Sequence, residues 1–478
     1  MTQDVKDLLA RAMSHAVAYR EKVTHDSHMP SADYHDMLER VAAPVPEEGM
    51  DATEMIDALA EAAEPGLMPI VGPRFFGWVM GGSHPAGVAA DWLVSAWGQN
   101  TGYHSPTPAT AAIEELAERW LVEILDLPIG SSVGFCTGAT VANGIGLAAA
   151  RTGVLLKAGW DPDADGLFGA PPVEVLIGAD AHSSLYASLQ LIGFGSKRVT
   201  KIDTDDQGRI LPAALEKAIG GKPGPRIVIT QAGQINTGAF DPFTDIIAVA
   251  KSAGAWVHVD GAFGLWARAT PSLHHLTEGI EGADSWVTDG HKWLQVPYDC
   301  GFAIVRDRAI HQRAMTQWSS YLPSIAHGDR VPSAFVPELS RRARGVPVYA
   351  VLKTLGRRGV AELVARHCAL AKYFAELLGT EPGIRVVNTV TINQVIVSFG
   401  TGDSASRRAA TEAVIARVQK DGVCFAAGAE WRGDWVMRLS VTSLATTEED
   451  IAVSAAAIVE AWRAWEGSRQ TNLQTGPT

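Results

Sequence analysis

The chain has 478 residues, 47% of them apolar, enough for two or three folded domains and too apolar for global disorder. Its net charge of −13, from 40 basic and 53 acidic side chains, comes without a basic stripe and argues against a nucleic-acid partner. Cys136, Cys300, Cys368 and Cys424 are too scattered for a CxxC metal or redox site or a disulfide framework, which fits a reducing cytoplasm.

Asp4, Lys6, Asp7, Arg11 and Arg20 interrupt the start of the chain, so no signal peptide is expected, and no uncharged apolar run is long enough to span a bilayer. Val5, Leu8, Leu9, Ala12, Met13, Ala16 and Val17 recur at helical spacing and predict an amphipathic helix with one docking face. Residues 1–72 as a whole read as a helical arm expected to meet a partner subunit.

Residues 73–344 change pattern. The apolar runs VEVLIGA (173–179), RIVITQA (226–232), WVHVDGA (256–262), SWVTDG (285–290) and CGFAIV (300–305) alternate with helical stretches such as 243–253. Strands of that kind predict a mainly parallel sheet with helices on both faces. Residues 345–478 read as a smaller α+β domain: helical patterns at 348–379 and 405–420 flank strands at 392–399 and 434–441. Thr446-Thr447-Glu448-Glu449 fits a capping box opening a last helix whose stripe is Ile451, Ala455, Ile458, Trp462 and Trp465. The run Arg341-Arg342-Ala343-Arg344 reads as a solvated or phosphate-facing turn.

Ligands of open parallel sheets collect at the carboxyl ends of the strands. Asp180 and His182 follow the first run, Gly233 and Gln234 the second, Asp260, Gly261 and Ala262 the third, and His291 and Lys292 the fourth. GFCTGATVANGIGLAAAR (134–151) adds a Gly/Thr turn before a helix. Taken singly, each is a turn, a cap or a core histidine. Together they assemble an amine, a carboxylate, an imidazole and a helix start suited to phosphate, which is the set pyridoxal phosphate requires. A lysine beside Trp293 and Leu294 is costly to bury as a charge, and desolvation would free its amine for imine chemistry.

HVDGAFG (258–264), DGHKWLQVPYDCG (289–301), TGATVAN (137–143), DAHSS (180–184) and TGAFDP (237–242) carry a resemblance. From about residue 70 to 450 the chain resembles the group II pyridoxal-phosphate-dependent amino-acid decarboxylases, which have the aspartate aminotransferase fold (fold type I). The resemblance implies Lys292 as the Schiff-base lysine, Asp260 as partner of the pyridine nitrogen, Ala262 beneath the ring and His182 stacked over it. It places the phosphate on Gly138, Ala139 and Thr140 with His291 nearby, and Gln234 near the phenolic oxygen. Arg438 would hold the substrate carboxylate, with Trp78, Tyr103 and His104 as substrate walls. A homodimer with interfacial active sites and no metal is also implied.

Two departures stand out. Asp289 replaces a frequent Asn; a carboxylate would repel phosphate, so it is expected to orient backbone or His291. The stretch 324–345, matching a loop whose tyrosine protonates the intermediate in aromatic amino-acid decarboxylases, has no tyrosine. Either His327 or the preceding Tyr321 is then the expected acid, or protonation is done differently. The leading expectation is decarboxylation of an L-amino acid, aromatic slightly favoured over acidic. An aldehyde-forming oxidative deaminase, a carbon–carbon lyase, an aminotransferase and a non-catalytic cofactor-binding module are the alternatives.

Overall fold

The structure, a computed structural model, describes residues 3–24, 27–221, 223–316 and 329–474. Seven strands build the first sheet: β1 (Ser132–Cys136), β2 (Glu174–Gly178), β3 (Val199–Ile202), β4 (Arg226–Gln231), β5 (Trp256–Asp260), β6 (Ser285–Asp289) and β7 (Gly301–Val305). Their order is β1-β7-β6-β5-β4-β2-β3. The pairs from β3 across to β6 are parallel, and β7 runs antiparallel to both β6 and β1. Every residue of β1, β4, β6 and β7 is buried, as helices on both faces require. The five expected strands are all present; β1 and β3 were not foreseen, since VTKI is short and half polar and SVGFC runs directly into the Gly/Thr turn.

An antiparallel step needs no crossover helix. β6 therefore passes to β7 through residues 290–300 alone, and that loop carries His291 and Lys292. Across the sheet Gln231 lies opposite Asp260, and Asp260 opposite Val287. The registers align the chemically active residues along one edge.

The second sheet is antiparallel, in the order β10 (Ala427–Trp431), β11 (Asp434–Ser440), β9 (Gln394–Phe399), β8 (Ile384–Val386). The helix Gly345–Gly379 joins the two cores. Val348, Val351, Val360 and Val364 sit in the first core, and Leu370, Ala371, Phe374 and Leu378 in the second. Gly356, at φ 62°, breaks its helical geometry. The final helix, Glu448–Gln474, opens on a reciprocal cap: Thr447 N–H donates to Asp450 at 3.0 Å, and Asp450 N–H donates to Thr447 Oγ1 at 3.2 Å. Its stripe of Ile451, Ala455, Ile458 and Trp462 is buried.

The helix Gln3–Lys22 leaves Val5, Leu9, Met13 and Val17 exposed on one face. One helix, Ala139–Lys157, is long and apolar enough to cross a membrane by length and composition; here it is mostly buried against the first sheet. All four cysteines are free and buried, and burial pushes the Cys136, Cys368 and Cys424 thiols up to about 12.

The arginine run is solvated only at Arg342, which is exposed; Arg341 and Arg344 are withdrawn from water. Arg341 is wholly buried and Nη1 lies 2.7 Å from Glu114 Oε2, while Arg342 pairs with Asp91 at 2.7 Å and Arg344 with Asp299 at 2.8 Å. Arg330 joins the same buried network, 2.8 Å from Glu114 and 2.9 Å from Glu118. Phe335, in the stretch taken as a loop, is fully buried at the end of a 3-10 turn, Pro332–Phe335.

Candidate active site

A cavity of about 360 Å³ opens at the carboxyl edge of the first sheet, within the usual range for small-molecule sites. Gly138, Ala139, Thr140, His182, Asp260, Ala262, Asp289, His291 and Lys292 all border it. Residues from four strand ends and one helix start thus converge as the register dictates.

Lys292 is not stranded among apolar walls. Its Nζ lies 2.9 Å from Asp289 Oδ2, which is itself buried at the end of β6. The other oxygen, Oδ1, accepts the Ala139 N–H at 2.6 Å and so caps the first turn of the helix Ala139–Lys157. A carboxylate at a helix N-terminus is favourable, because the unpaired N–H groups and the dipole both attract it. Gly138 precedes that turn where an added Cβ would lie 3.0 Å from His291 Cε1. Behind the lysine, Gly81 approaches so closely that a Cβ would sit 1.9 Å from the Lys292 carbonyl oxygen.

His291 Nδ1 accepts the Cys300 N–H at 3.2 Å, which leaves the ring proton on Nε2, 3.6 Å from Asp289. Burial lowers its pKa, with Asp289 opposing. Its ring stacks on Tyr298, centroids 4.4 Å apart.

Asp260 is buried at the end of β5, and burial raises its pKa while His182 and Lys292 pull it down. Oδ1 accepts the Ala262 N–H at 3.1 Å, and no cation among the described residues pairs with the carboxylate. His182 caps the helix Ser183–Leu191, Nδ1 accepting the Ser184 N–H at 3.3 Å. Its ring edge stays open to solvent, yet loss of water within the cleft lowers its pKa; Lys292 and Arg438 add to that and Asp260 opposes it.

Several expected residues sit elsewhere. Gln234 does not border the cavity. Its Oε1 accepts the Asn236 and Thr237 N–H groups at 2.6 and 3.0 Å, and its Nε2 donates to the Asp180 carbonyl at 3.1 Å, so local backbone groups engage both ends of the amide. Trp78, at φ 50°, is 46% exposed and tilts against Phe425 at 4.9 Å. Tyr103 packs on Val331, Ala334 and Phe335, and His104 is half-buried beside it. None of these three borders the cavity within this chain. Arg438 is 8% exposed on β11, with Nη1 3.3 Å from Asn236 Oδ1 and no carboxylate partner among the described residues. Burial lowers its pKa to about 10. His327 and Tyr321 lie outside the described residues.

Sequence reasoning missed Gln231, Ile235, Phe263 and Tyr298, all of which border the cavity. Gln231 is the most informative, since its buried Nε2 has no partner among the described residues. Its position at the end of β4 was the available signal.

A model described as the pyridoxal-dependent decarboxylase conserved domain matches residues 35–400. Tryptophan decarboxylase 1 of Oryza sativa subsp. japonica is 27% identical over 481 residues, covering 94% of this chain and 91% of its own. The aromatic-L-amino-acid decarboxylase of Bacillus atrophaeus is 25% identical over 449 residues, covering 90% and 91%. The crystal structure of Oryza sativa TDC with PLP and tryptamine superposes with a TM-score of 0.90 at 23% identity, covering 97% of this chain and 99% of that one. That likeness establishes the common fold.

Proposed function

This chain belongs to the pyridoxal-dependent decarboxylase family, and from that premise we propose that it converts an aromatic L-amino acid to its amine and carbon dioxide. The cofactor is pyridoxal 5′-phosphate. One observation carries the reading: a single cavity joins an amine (Lys292), a buried carboxylate with no ion-paired cation among the described residues (Asp260) and a helix N-terminus (Ala139).

The residues present fit the cofactor. Asp260 would face the ring nitrogen and keep it protonated, and Gln231 Nε2, without a partner among the described residues, adds a donor in the same cavity. Lys292 would hold the aldehyde carbon. Gly138, Ala139, Thr140 and His291 would hold the phosphate, with His182 over one ring face and Ala262 against the other. When bound, the cofactor supplies an electron sink for the pair left behind as carbon dioxide departs. Arg438, buried and without a counter-ion among the described residues, supports a role in holding the substrate α-carboxylate and orienting the bond to be broken. The returning proton would come from His327 or from Tyr321, the two acids expected from the sequence.

The arginine run supports an aromatic over an acidic substrate, because the two guanidinium groups withdrawn from water, Arg341 and Arg344, are already paired with Glu114 and Asp299. Phe263, Ile235 and Tyr298 on the cavity wall favour the same choice. The exposed apolar stripe Val5, Leu9, Met13 and Val17, together with exposed Trp92 and Trp97, supports a homodimer, in which residues 1–72 act as the contact arm. Trp78, Tyr103 and His104 would then serve as substrate walls at the interface. Four unpaired thiols support a cytoplasmic setting.

Product analysis by mass spectrometry, with each common L-amino acid and DOPA, tests the proposal. Amine and carbon dioxide from an aromatic substrate are expected. Turnover of acidic amino acids alone overturns the substrate class, and aldehyde with ammonia overturns the product.

A further inference from the structure

Asp289 touches both ends of the cavity. Oδ1 holds the Ala139 N–H at 2.6 Å, and Oδ2 holds the Lys292 amine at 2.9 Å. These are the two groups that a phosphate and an aldehyde would otherwise claim. The carboxylate is 1% exposed, so water screens it little. It also sits at the helix start where an incoming phosphate would gain most.

We propose that Asp289 is a placeholder: in the cofactor-free chain it occupies the phosphate-end donor and the amine together, and cofactor loading proceeds by displacing both contacts. The proposal rests on reading this cavity as the cofactor site. A phosphate oxygen aimed at the Ala139 N–H must compete with the Asp289 carboxylate for it, and like charges at such separations repel strongly when buried. Displacement therefore opposes loading, and a neutral side chain of the same shape relieves the opposition. At the other end, a lysine released from its carboxylate becomes available to an aldehyde. In that step the ammonium first gives one proton to solvent; the free amine nitrogen then bonds to the aldehyde carbon, and the carbonyl oxygen leaves as water with the nitrogen's two remaining protons.

The test uses the full chain freed of cofactor, as wild type, Asp289→Asn and Asp289→Ser. Circular dichroism and melting identify which variants fold; the two differ in shape but share the loss of charge, so either one suffices. Three ligands are titrated. Pyridoxal phosphate is followed by its visible absorption, inorganic phosphate by competition against it, and pyridoxal by borohydride trapping on Lys292 with mass analysis. The expected result is at least tenfold tighter binding of pyridoxal phosphate and of inorganic phosphate by the uncharged variants, with faster trapping of pyridoxal. Unchanged or weaker phosphate binding overturns the proposal, as does a gain for pyridoxal alone. A wild-type chain that binds no pyridoxal phosphate overturns instead the reading of the cavity.

Discussion

Arg341 and Glu114 meet with both side chains wholly buried, one guanidinium nitrogen lying 2.9 and 2.7 Å from the two carboxylate oxygens. Arg341 also donates to the Thr101 and Phe135 carbonyls, tying residue 341 to β1 and to the segment before the helix Pro108–Ile124. Removing one member leaves an uncompensated buried charge, which costs about 3–5 kcal/mol. Glu114→Gln is expected to lower unfolding free energy by that amount, because Arg341 loses its anion and Arg330 is left with Glu118 alone. Urea unfolding measures it; a change below about 1 kcal/mol would show that the network relaxes around the loss.

Arg438→Met should separate substrate binding from cofactor binding. The guanidinium has Asn236 as its hydrogen-bond acceptor, so its loss leaves no stranded partner charge among the described residues. A charge-assisted hydrogen bond of about 1.5–3 kcal/mol corresponds to a roughly 10- to 150-fold rise in KM. The visible cofactor spectrum should be unchanged. An unaltered KM would remove Arg438 from the site.

Stability should fall on acidification from neutral pH. Burial lowers His258, His311 and His367 to about 3 and His28 to about 4, against a free value of 6.5. Between those limits the unfolded chain binds protons that the folded chain refuses. The stabilising contribution is therefore complete above pH 6.5 and is lost as pH falls toward 3 or 4. Each histidine adds a slope of about 1.4 kcal/mol per pH unit well inside that window. Denaturant midpoints at pH 7.5, 6 and 5 should show it. His367, held between Trp293 Nε1 and the Ser443 carbonyl, can be replaced by Gln, which should reduce the slope by about one proton.

Gly81→Ala should disable the site from behind. The new methyl would meet the Lys292 carbonyl oxygen, a backbone atom that cannot swing aside. The expected outcome is a folded protein with little visible cofactor absorption. Gly144→Ala is the control: it lies in the helix Ala139–Lys157 with open space around the added carbon and should leave absorption intact. Equal spectra for both would mean that the 290–300 loop yields easily.

Where residues carried a signal, the sequence was readable. Apolar runs marked five strands, and the rule that ligands gather at strand ends brought Asp260, His182 and Lys292 to one cavity. Gln234 shows why the rest was hidden. Glutamine in a turn can satisfy nearby backbone groups, and here it does, while Gln231, three residues earlier, has an Nε2 without a partner among the described residues. The arginine run misled at Arg341 because charges clustered in sequence read as solvated, and its partner Glu114 is more than two hundred residues away; Arg342 is exposed as expected. Asp289 was expected to orient backbone or His291. Its bond to Ala139, some 150 positions distant, exists only once β6 and the Gly/Thr turn are neighbours.

The buried cysteines make this protein a convenient host for site-directed labelling. With no exposed native thiol, and with burial holding three of them near 12 and Cys300 well above its ordinary value, the folded chain should be silent toward maleimides. A single cysteine placed at exposed Ile129 or Phe168 would then be the sole attachment point for a spin label or fluorophore. The native four would become reactive on unfolding, and their count by mass would report the unfolded fraction directly.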